Sequence, residues 1–242
     1  MLKLIRILAV TTASILICLV GTLYALVRLR NPSSVGVVAR SFGALYPLIG
    51  VKVIKRSKPE LTQPVIYIGN HQNNYDMLTI AGMMPPRTVS IGKRSLIWVP
   101  FFGLVYWATG NILLHREKRS SAISTMNKVA TIIQKEKISI WMFPEGTRSR
   151  GRGLLPFKSG AFHTAIAAGV PIVPVVCSSL HNKINLNRWN NGIVICEMLE
   201  PIDTSGYSRE NVKELIEKCH TQMAQKLAQL DEEVAMLEKQ AD

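Results

Sequence analysis

Acidic side chains are scarce over the first four-fifths of this 242-residue sequence. Residues 1–196 contain 24 Lys and Arg but only 5 Asp and Glu, and most acidic residues follow residue 196. The whole chain has a formal net charge of +13, and 48% of its residues are hydrophobic. This apolar content excludes an intrinsically disordered chain. The basic surplus predicts an anionic partner, such as nucleic acid, an anionic membrane surface or a phosphorylated substrate.

Several common reactive motifs are also missing. The four cysteines lie far apart and form no CxxC pair. A chain of this length can bury a core without disulfides, so we interpret the cysteines as reduced, buried residues in a cytoplasmic setting. The sequence has no GxSxG, GxxxxGK[ST] or HExxH motif. Serine-esterase chemistry, ATP hydrolysis and zinc-protease chemistry therefore have no support.

A long uncharged segment lies near the amino terminus, at residues 7–27, with basic residues on both sides. A helix of this length extends about 31 Å, which is enough to cross the hydrocarbon core of a bilayer. No small-residue cleavage site follows it, so an uncleaved membrane anchor is favoured over a signal peptide. Because both flanks are basic, the orientation is not decided, and a helix embedded in one leaflet fits as well as a span.

The following segment, residues 35–51, is too broken by Pro47 and Gly50 to cross a membrane. It is interpreted either as an interfacial element or as the first helix of the globular domain. We assign residues 1–50 to an N-terminal membrane-anchoring segment.

Short β-branched runs alternate with helical patterns in the rest of the chain. Helical spacing of apolar residues predicts helices at 120–134, at 161–168 with Gly169 as the C-cap, and at about 209–239. We therefore predict that residues 51–242 form an α/β domain, a mixed sheet flanked by helices, with a C-terminal amphipathic helix. The predicted strands are 51–55, 65–69, 88–92, 138–143, 172–177 and 193–198.

The first candidate site is the polar loop of residues 70–76, Asn-His-Gln-Asn-Asn-Tyr-Asp, between a predicted strand and a helix predicted at 77–83. On a helix or a strand, His71 and Asp76 would point in different directions, so only a turn brings them together. An Asp bonded to Nδ1–H would leave Nε2 free to act as a general base. Since the loop has no Ser or Cys nucleophile, the base would act on a substrate hydroxyl. The alternative is a capping Asp beside a surface His.

The second candidate site follows the strand predicted at 138–143. It concentrates cations against a single acid, Glu145, and it has glycines that let backbone N–H groups approach an anion. Guanidinium groups in such a loop predict phosphate binding, and the alternative is a solvated basic loop. The cations are Arg148, Arg150, Arg152 and Lys158.

An apolar segment at residues 96–103 contains three aromatic residues and no charge. Three interpretations remain open for it: plain core, the lining of a hydrocarbon-binding groove, or contact with the bilayer.

Four sequence blocks resemble those of the glycerolipid acyltransferase family. Residues 70–76 resemble its first block, 110–116 its second, 143–149 its third and 170–175 its fourth. His115 stands where an acidic residue is common in the second block, so only Arg116 is carried over from that block. Block order, chain length and the apolar N-terminal segment resemble the bacterial members that acylate lysophosphatidic acid.

This resemblance implies transfer of an acyl chain from acyl-CoA or acyl-carrier protein to the sn-2 hydroxyl of lysophosphatidic acid, which gives phosphatidic acid. His71 would be the base and Asp76 would orient it, with no acyl-enzyme and no metal or redox cofactor. The implied partners are these substrates and the lipid bilayer, and nucleic acid is not among them. The implied location is the bacterial inner membrane, with the catalytic domain on the cytoplasmic side. The implied substrate-binding residues are Arg116, Glu145, Gly146, Thr147 and Arg148.

Three other functions are weighed against this one. Within enzymes, the acceptor could be another lysophospholipid or glycerol-3-phosphate. A membrane-attached nucleic-acid-binding protein would use the basic body, but it predicts interleaved aromatic and basic residues that the sequence lacks. A non-catalytic membrane scaffold would have no use for the pair of His71 and Asp76.

Overall fold

The computed structural model describes residues 1–28, 30–57, 61–114 and 119–241. The helices are α1 (Leu2–Val27), α2 (Ser33–Gly43), α3 (Phe102–Ala108), α4 (Arg119–Glu136), α5 (Gly160–Ala168) and α6 (Val212–Ala241). The strands are β1 (Lys52–Arg56), β2 (Ile66–Gly69), β3 (Thr88–Lys93), β4 (Ile112–Leu114), β5 (Ser139–Met142), β6 (Ile172–Cys177) and β7 (Ile193–Met198). The 3-10 turns in these residues are Tyr46–Ile49, Asn74–Met77, Ile80–Met83 and Arg94–Trp98.

The strands form one seven-stranded sheet in the order β1-β7-β6-β2-β5-β3-β4. Every neighbouring pair is parallel except β6 and β7, which are antiparallel. The predicted mixed sheet flanked by helices is therefore confirmed. β2 and β6 are buried along their whole length, because helices cover both faces of the sheet as its parallel pairing requires.

The strand order determines where the site can form. β2, β5, β3 and β6 run in the same direction, so their carboxyl ends meet at one edge of the sheet. β2 lies between β5 and β6, and the loops after these three strands are therefore direct neighbours. In open α/β sheets this edge is where ligands bind.

One local prediction is wrong, and two short elements were not predicted. Residues 77–83 do not form one helix, because the chain makes two separate 3-10 turns, Asn74–Met77 and Ile80–Met83. β4 was not predicted, since three residues are too few to show an alternating pattern. α3 was not predicted either. The predicted C-cap at Gly169 is confirmed, because this residue has a left-handed backbone with φ +63°.

α1 is, among the described residues, the one helix with the length and apolarity of a membrane span. It packs on the body of the protein near both of its ends. Near its start, the buried Arg6 donates hydrogen bonds to the carbonyls of Arg188 (2.5 Å) and Trp189 (2.8 Å). Near its end, Gly21 lies against Val38 of α2 and Val105 of α3. The opposite face of α1 is exposed.

Candidate active site

His71 and Asp76 are in direct contact. Nδ1 of His71 lies 2.6 Å from Oδ2 of Asp76, with the carboxylate buried and the imidazole about one-fifth exposed. A carboxylate in this position accepts a hydrogen bond from Nδ1–H, so it selects the tautomer in which Nε2 is an acceptor. The structure thus brings together the two residues that the sequence predicts as a pair.

The loop between them is shaped by its own polar groups. Oδ2 of Asp76 also accepts hydrogen bonds from the backbone N–H groups of Gln72 (2.7 Å) and Asn73 (3.2 Å). The side chain of Asn73 in turn accepts from the N–H of Tyr75 (2.8 Å), which makes a capping box at the 3-10 turn. The backbone therefore folds around the Asp76 carboxylate and carries His71 to it.

Asn70 and Gln72 fasten this loop to the end of β6. The amide of Asn70 donates to the carbonyl of Cys177 and accepts from its N–H, both at 2.8 Å. The amide of Gln72 donates to the carbonyls of Cys177 (3.0 Å) and Ser178 (2.9 Å) and accepts from the N–H of Leu180 (2.8 Å). Both side chains are buried, and their amides bind the backbone at the end of β6 and in the residues that follow it.

The loop after β5 is joined to the same segment from the other side. The N–H of Ser149 donates to the carbonyl of His71 (2.8 Å), and the N–H of Arg150 donates to the carbonyl of Gln72 (3.0 Å). The ring of Phe143 stacks on the imidazole of His71, with centroids 4.2 Å apart. The backbone hydrogen bonds fix the position of His71, and the stacked ring fixes the orientation of its imidazole.

Glu145 is buried beneath this junction. Its Oε1 accepts from the N–H of His71 (2.6 Å) and its Oε2 accepts from the N–H of Leu155 (3.0 Å). Burial raises the pKa of this carboxyl, and the two backbone hydrogen bonds oppose that rise. The resemblance implies a substrate-binding role for Glu145. The structure places its carboxylate against the backbone, away from the cavity lining.

A cavity of about 640 Å³ opens beside His71. We call the part lined by the two loops and Lys93 its polar end, and the part lined by α2 and α3 its apolar end. Such a lining suits a ligand with a charged head and a hydrocarbon tail. Lining residues at the polar end include His71, Asn73, Gly146, Thr147, Arg148 and Arg150, and those at the apolar end include Val35, Val38, Phe42, Phe102 and Val105.

Arg148 is exposed at the mouth of the cavity. Arg152 is engaged elsewhere, because its guanidinium donates to the carbonyls of Ser149 (2.8 Å) and Arg148 (3.1 Å). Gly146 has φ +68°, and a Cβ there would lie 2.9 Å from Cδ of Lys158, so the turn requires glycine. Arg116, the predicted second-block cation, lies outside the described residues.

Sequence reasoning missed one residue of the site, Lys93, and the role of two residues in the predicted loop, Asn70 and Gln72. Lys93, at the end of β3, lines the cavity. Lys93 directly follows a predicted strand, and this position could have indicated a site residue. It does so only when the order of the strands in the sheet is known. Asn70 and Gln72 act through β6, a contact that the sequence does not indicate. Among the described residues, no three His, Cys, Asp or Glu side chains come together as a metal site.

Known proteins resemble this chain in sequence over nearly its whole length. A family model described as Acyltransferase matches residues 50–178. The 1-acyl-sn-glycerol-3-phosphate acyltransferase of Haemophilus influenzae is 62% identical over 237 residues, which cover 97% of this chain and 99% of that protein. The Escherichia coli protein of the same name is 54% identical over 237 residues, covering 97% of each chain.

A crystal structure of a 1-acyl-sn-glycerophosphate acyltransferase from Thermotoga maritima matches with a TM-score of 0.66. It covers 98% of both chains at 22% sequence identity, so this likeness concerns the fold.

Proposed function

The chain belongs to the acyltransferase family, and on that premise we propose that it acylates the sn-2 hydroxyl of 1-acyl-sn-glycerol-3-phosphate to give phosphatidic acid. The acyl donor is a thioester on CoA or on acyl-carrier protein. The names of the Haemophilus influenzae and Escherichia coli relatives support the acceptor, and the thioester donor follows from the family resemblance.

In the proposed reaction, Nε2 of His71 takes the proton of the acceptor hydroxyl as its oxygen attacks the thioester carbonyl. The carbon–sulfur bond then breaks, and the imidazolium returns the proton to the leaving thiolate. Asp76 steadies the imidazolium through the 2.6 Å contact with Nδ1. This contact at the polar end of a two-ended cavity is the observation on which the proposal chiefly depends.

We propose that the acceptor phosphate binds at the cavity mouth near Arg148 and Thr147, with Arg116 as a further cation. The exposed guanidinium of Arg148 and the glycine turn at Gly146 support this assignment. Glu145 is proposed to position the His71 backbone rather than to contact substrate, because both of its oxygens accept backbone N–H groups.

The apolar end of the cavity is proposed to hold an acyl chain. α1 is proposed to lie within one leaflet rather than to span the bilayer. Both ends of this helix pack on the same body, at Arg6 and at Gly21, which a span would have to separate across the membrane. The acyl donors are cytoplasmic, so we place the catalytic domain on the cytoplasmic face of the bacterial inner membrane.

Turnover of a donor and acceptor panel by purified protein tests this function. We expect phosphatidic acid from lysophosphatidic acid, and we expect His71→Ala to abolish its formation while membrane association remains. Tyr75→Phe, in the same loop but outside the cavity lining, is the matched control and should keep its turnover. Preference for another lysophospholipid or for glycerol-3-phosphate would replace the acceptor assignment, and an active His71→Ala variant would refute the base.

A further inference from the structure

A second apolar surface lies beside the cavity, on the segment that runs from the 3-10 turn Arg94–Trp98 to α3. We name it the aromatic wedge. Trp98 is 84% exposed, and Leu104 is 52% exposed. Outside α1 and Met1, six of the ten exposed large hydrophobic residues in the described chain belong to this short segment. The wedge consists of Ile97, Trp98, Val99, Phe101, Leu104 and Trp107.

The backbone at the tip of the wedge is strained. Phe101 has φ +61° and ψ −49°, which a residue with a side chain rarely adopts, and the N–H of Phe102 donates to the carbonyl of Pro100 at 2.6 Å. This tight turn also requires Gly103, because a Cβ there would lie 2.1 Å from the carbonyl oxygen of Ile97. This backbone conformation costs free energy, and it leaves Phe101 about half exposed.

The segment has two apolar sides with different surroundings. Leu96, Phe102 and Val105 face inward and line the cavity. The wedge residues do not line it. Leu104 and Trp107 lie one helical turn apart on the outer face of α3, and Phe101 directly precedes this helix. The segment is therefore a thin wall, with the cavity on one side and an exposed apolar surface on the other.

The neighbouring helix α1 also has exposed apolar residues. α3 packs against α1 where Val105 meets Gly21, and it packs against α2 where Phe102 meets Phe42 edge-on. The outer face of α1 in this region is apolar and exposed at Leu16, Leu19, Val20 and Leu23. The exposed apolar residues of the wedge and of α1 thus lie on two helices that pack together, and we treat them as one apolar face.

Cations and aromatic rings border this face. The guanidinium of Arg30 lies 4.9 Å from the centroid of the Trp107 ring, and that of Arg28 lies 5.3 Å from the Tyr24 ring. Aromatic rings beside cations are typical of the headgroup level of a membrane, where anionic phosphates pair with the charge.

We propose that the aromatic wedge inserts into the headgroup and upper acyl layer of an anionic phospholipid bilayer, as a second membrane contact beside α1. The cavity wall is then immersed in lipid, and an acceptor can pass from the bilayer to the cavity without crossing water. This delivery of acceptor rests on the proposed function, whereas the insertion itself does not.

Site-directed labelling tests the insertion directly. All four native cysteines are buried, so a cysteine introduced at Trp98 or Leu104 can be labelled selectively with a nitroxide. Met236→Cys, on the exposed face of α6, is the matched control. In vesicles of phosphatidylethanolamine with a minor fraction of phosphatidylglycerol, labels at 98 and 104 should be accessible to oxygen and shielded from a water-soluble nickel chelate.

Two outcomes would overturn the insertion. One is nickel access at positions 98 and 104 equal to that at 236. The other is dipolar broadening between labels at position 98 in dilute vesicles, which would make a second copy of this chain the occupant of the wedge.

A kinetic comparison tests the consequence for delivery. The double variant Trp98→Asp with Leu104→Asp should lower kcat/KM about tenfold for a long-chain acceptor embedded in vesicles, because it removes apolar burial in the lipid. It should leave kcat/KM unchanged for a short-chain acceptor dissolved as monomers, and Met236→Asp should affect neither. Equal losses on both acceptors would show that the wedge only supports the cavity wall. If the unaltered chain turns over neither acceptor, the proposed function fails while the labelling result still decides the insertion.

Discussion

The carboxylate of Glu145 holds the backbone of His71 from below, with Oε1 2.6 Å from the His71 nitrogen. The imidazole of the same residue is held from the side by Asp76. Two buried acids therefore fix one histidine, one through its main chain and one through its ring. Since the second oxygen of Glu145 accepts from Leu155, the loops after β2 and β5 share a single anchor.

This arrangement predicts the effect of Glu145→Gln. The substitution keeps the size of the side chain but turns one acceptor into a donor, so either His71 or Leu155 loses its partner in a buried place. We expect the free energy of unfolding to fall by about 1–3 kcal/mol, and kcat to fall with it. Denaturant unfolding in detergent micelles and steady-state kinetics provide the two measurements. A variant with unchanged stability and turnover would contradict the anchoring role.

Arg148→Ala is expected to act mainly on binding of the acceptor. Loss of one charge-assisted hydrogen bond to phosphate, about 1.5–3 kcal/mol, corresponds to a rise of roughly 10- to 150-fold in the KM for lysophosphatidic acid. Initial rates at varied acceptor and fixed donor measure it. Arg152→Ala is the control, because its guanidinium already binds loop carbonyls and it should change this KM little. A rise confined to the KM of the thioester donor would reassign the loop after β5 to the donor.

Gln72→Leu tests how far the site depends on β6. The Gln72 amide satisfies the carbonyls of Cys177 and Ser178 and the N–H of Leu180, and an apolar Leu side chain leaves all three without that partner. We expect a loss of about 3 kcal/mol or more in the free energy of unfolding, and a lower kcat. Thermal melting and turnover are the readouts. Tyr75→Phe should shift stability by no more than about 0.5 kcal/mol, and a comparably small shift for Gln72→Leu would show that the loop is held without β6.

Contacts of the site between residues close in sequence could be predicted, whereas contacts between loops of different strands could not. The pairing of His71 with Asp76 could be predicted from local sequence. A helix or a strand would point the two side chains in different directions, so only a turn brings them together, and the residues between them favour a turn. The position of Glu145 under His71 depends on β2 and β5 being neighbours, which no local pattern specifies. The same holds for Asn70 and Gln72, whose partners lie on β6.

The short helical elements were not predicted correctly from the sequence, for a different reason. The helix predicted at 77–83 became two 3-10 turns because Asp76 and Asn73 hold the backbone in a capped turn that a helical pattern does not reveal. α3 lies inside an uncharged apolar run whose residues alternate between cavity, core and exposed surface. Periodicity cannot separate these environments when all of the residues are apolar.

Acid stability should depend on Glu197, which joins β7 to β1 and α6. Partial burial alone would raise the pKa of this carboxyl, but ion pairs with Lys226 (2.9 Å) and Arg56 (3.1 Å) outweigh it, so the pKa lies below its usual value of 4.5. A lowered pKa means that the folded state binds fewer protons than the unfolded state. The stabilisation is therefore complete well above pH 4.5 and disappears as the pH falls through the lowered value.

Glu197→Gln should remove this pH dependence. Near neutral pH we expect the variant to be less stable by about 1 kcal/mol, as for a favourable pair near the surface, and the difference should vanish once the pH has fallen below the lowered pKa of Glu197. Denaturant unfolding in micelles across this range measures it. Glu217→Gln on the exposed face of α6 should show no such trend. If the gap between the unaltered chain and Glu197→Gln persists at low pH, the ion pairs with Lys226 and Arg56 do not stabilise the junction, and side-chain packing must account for it.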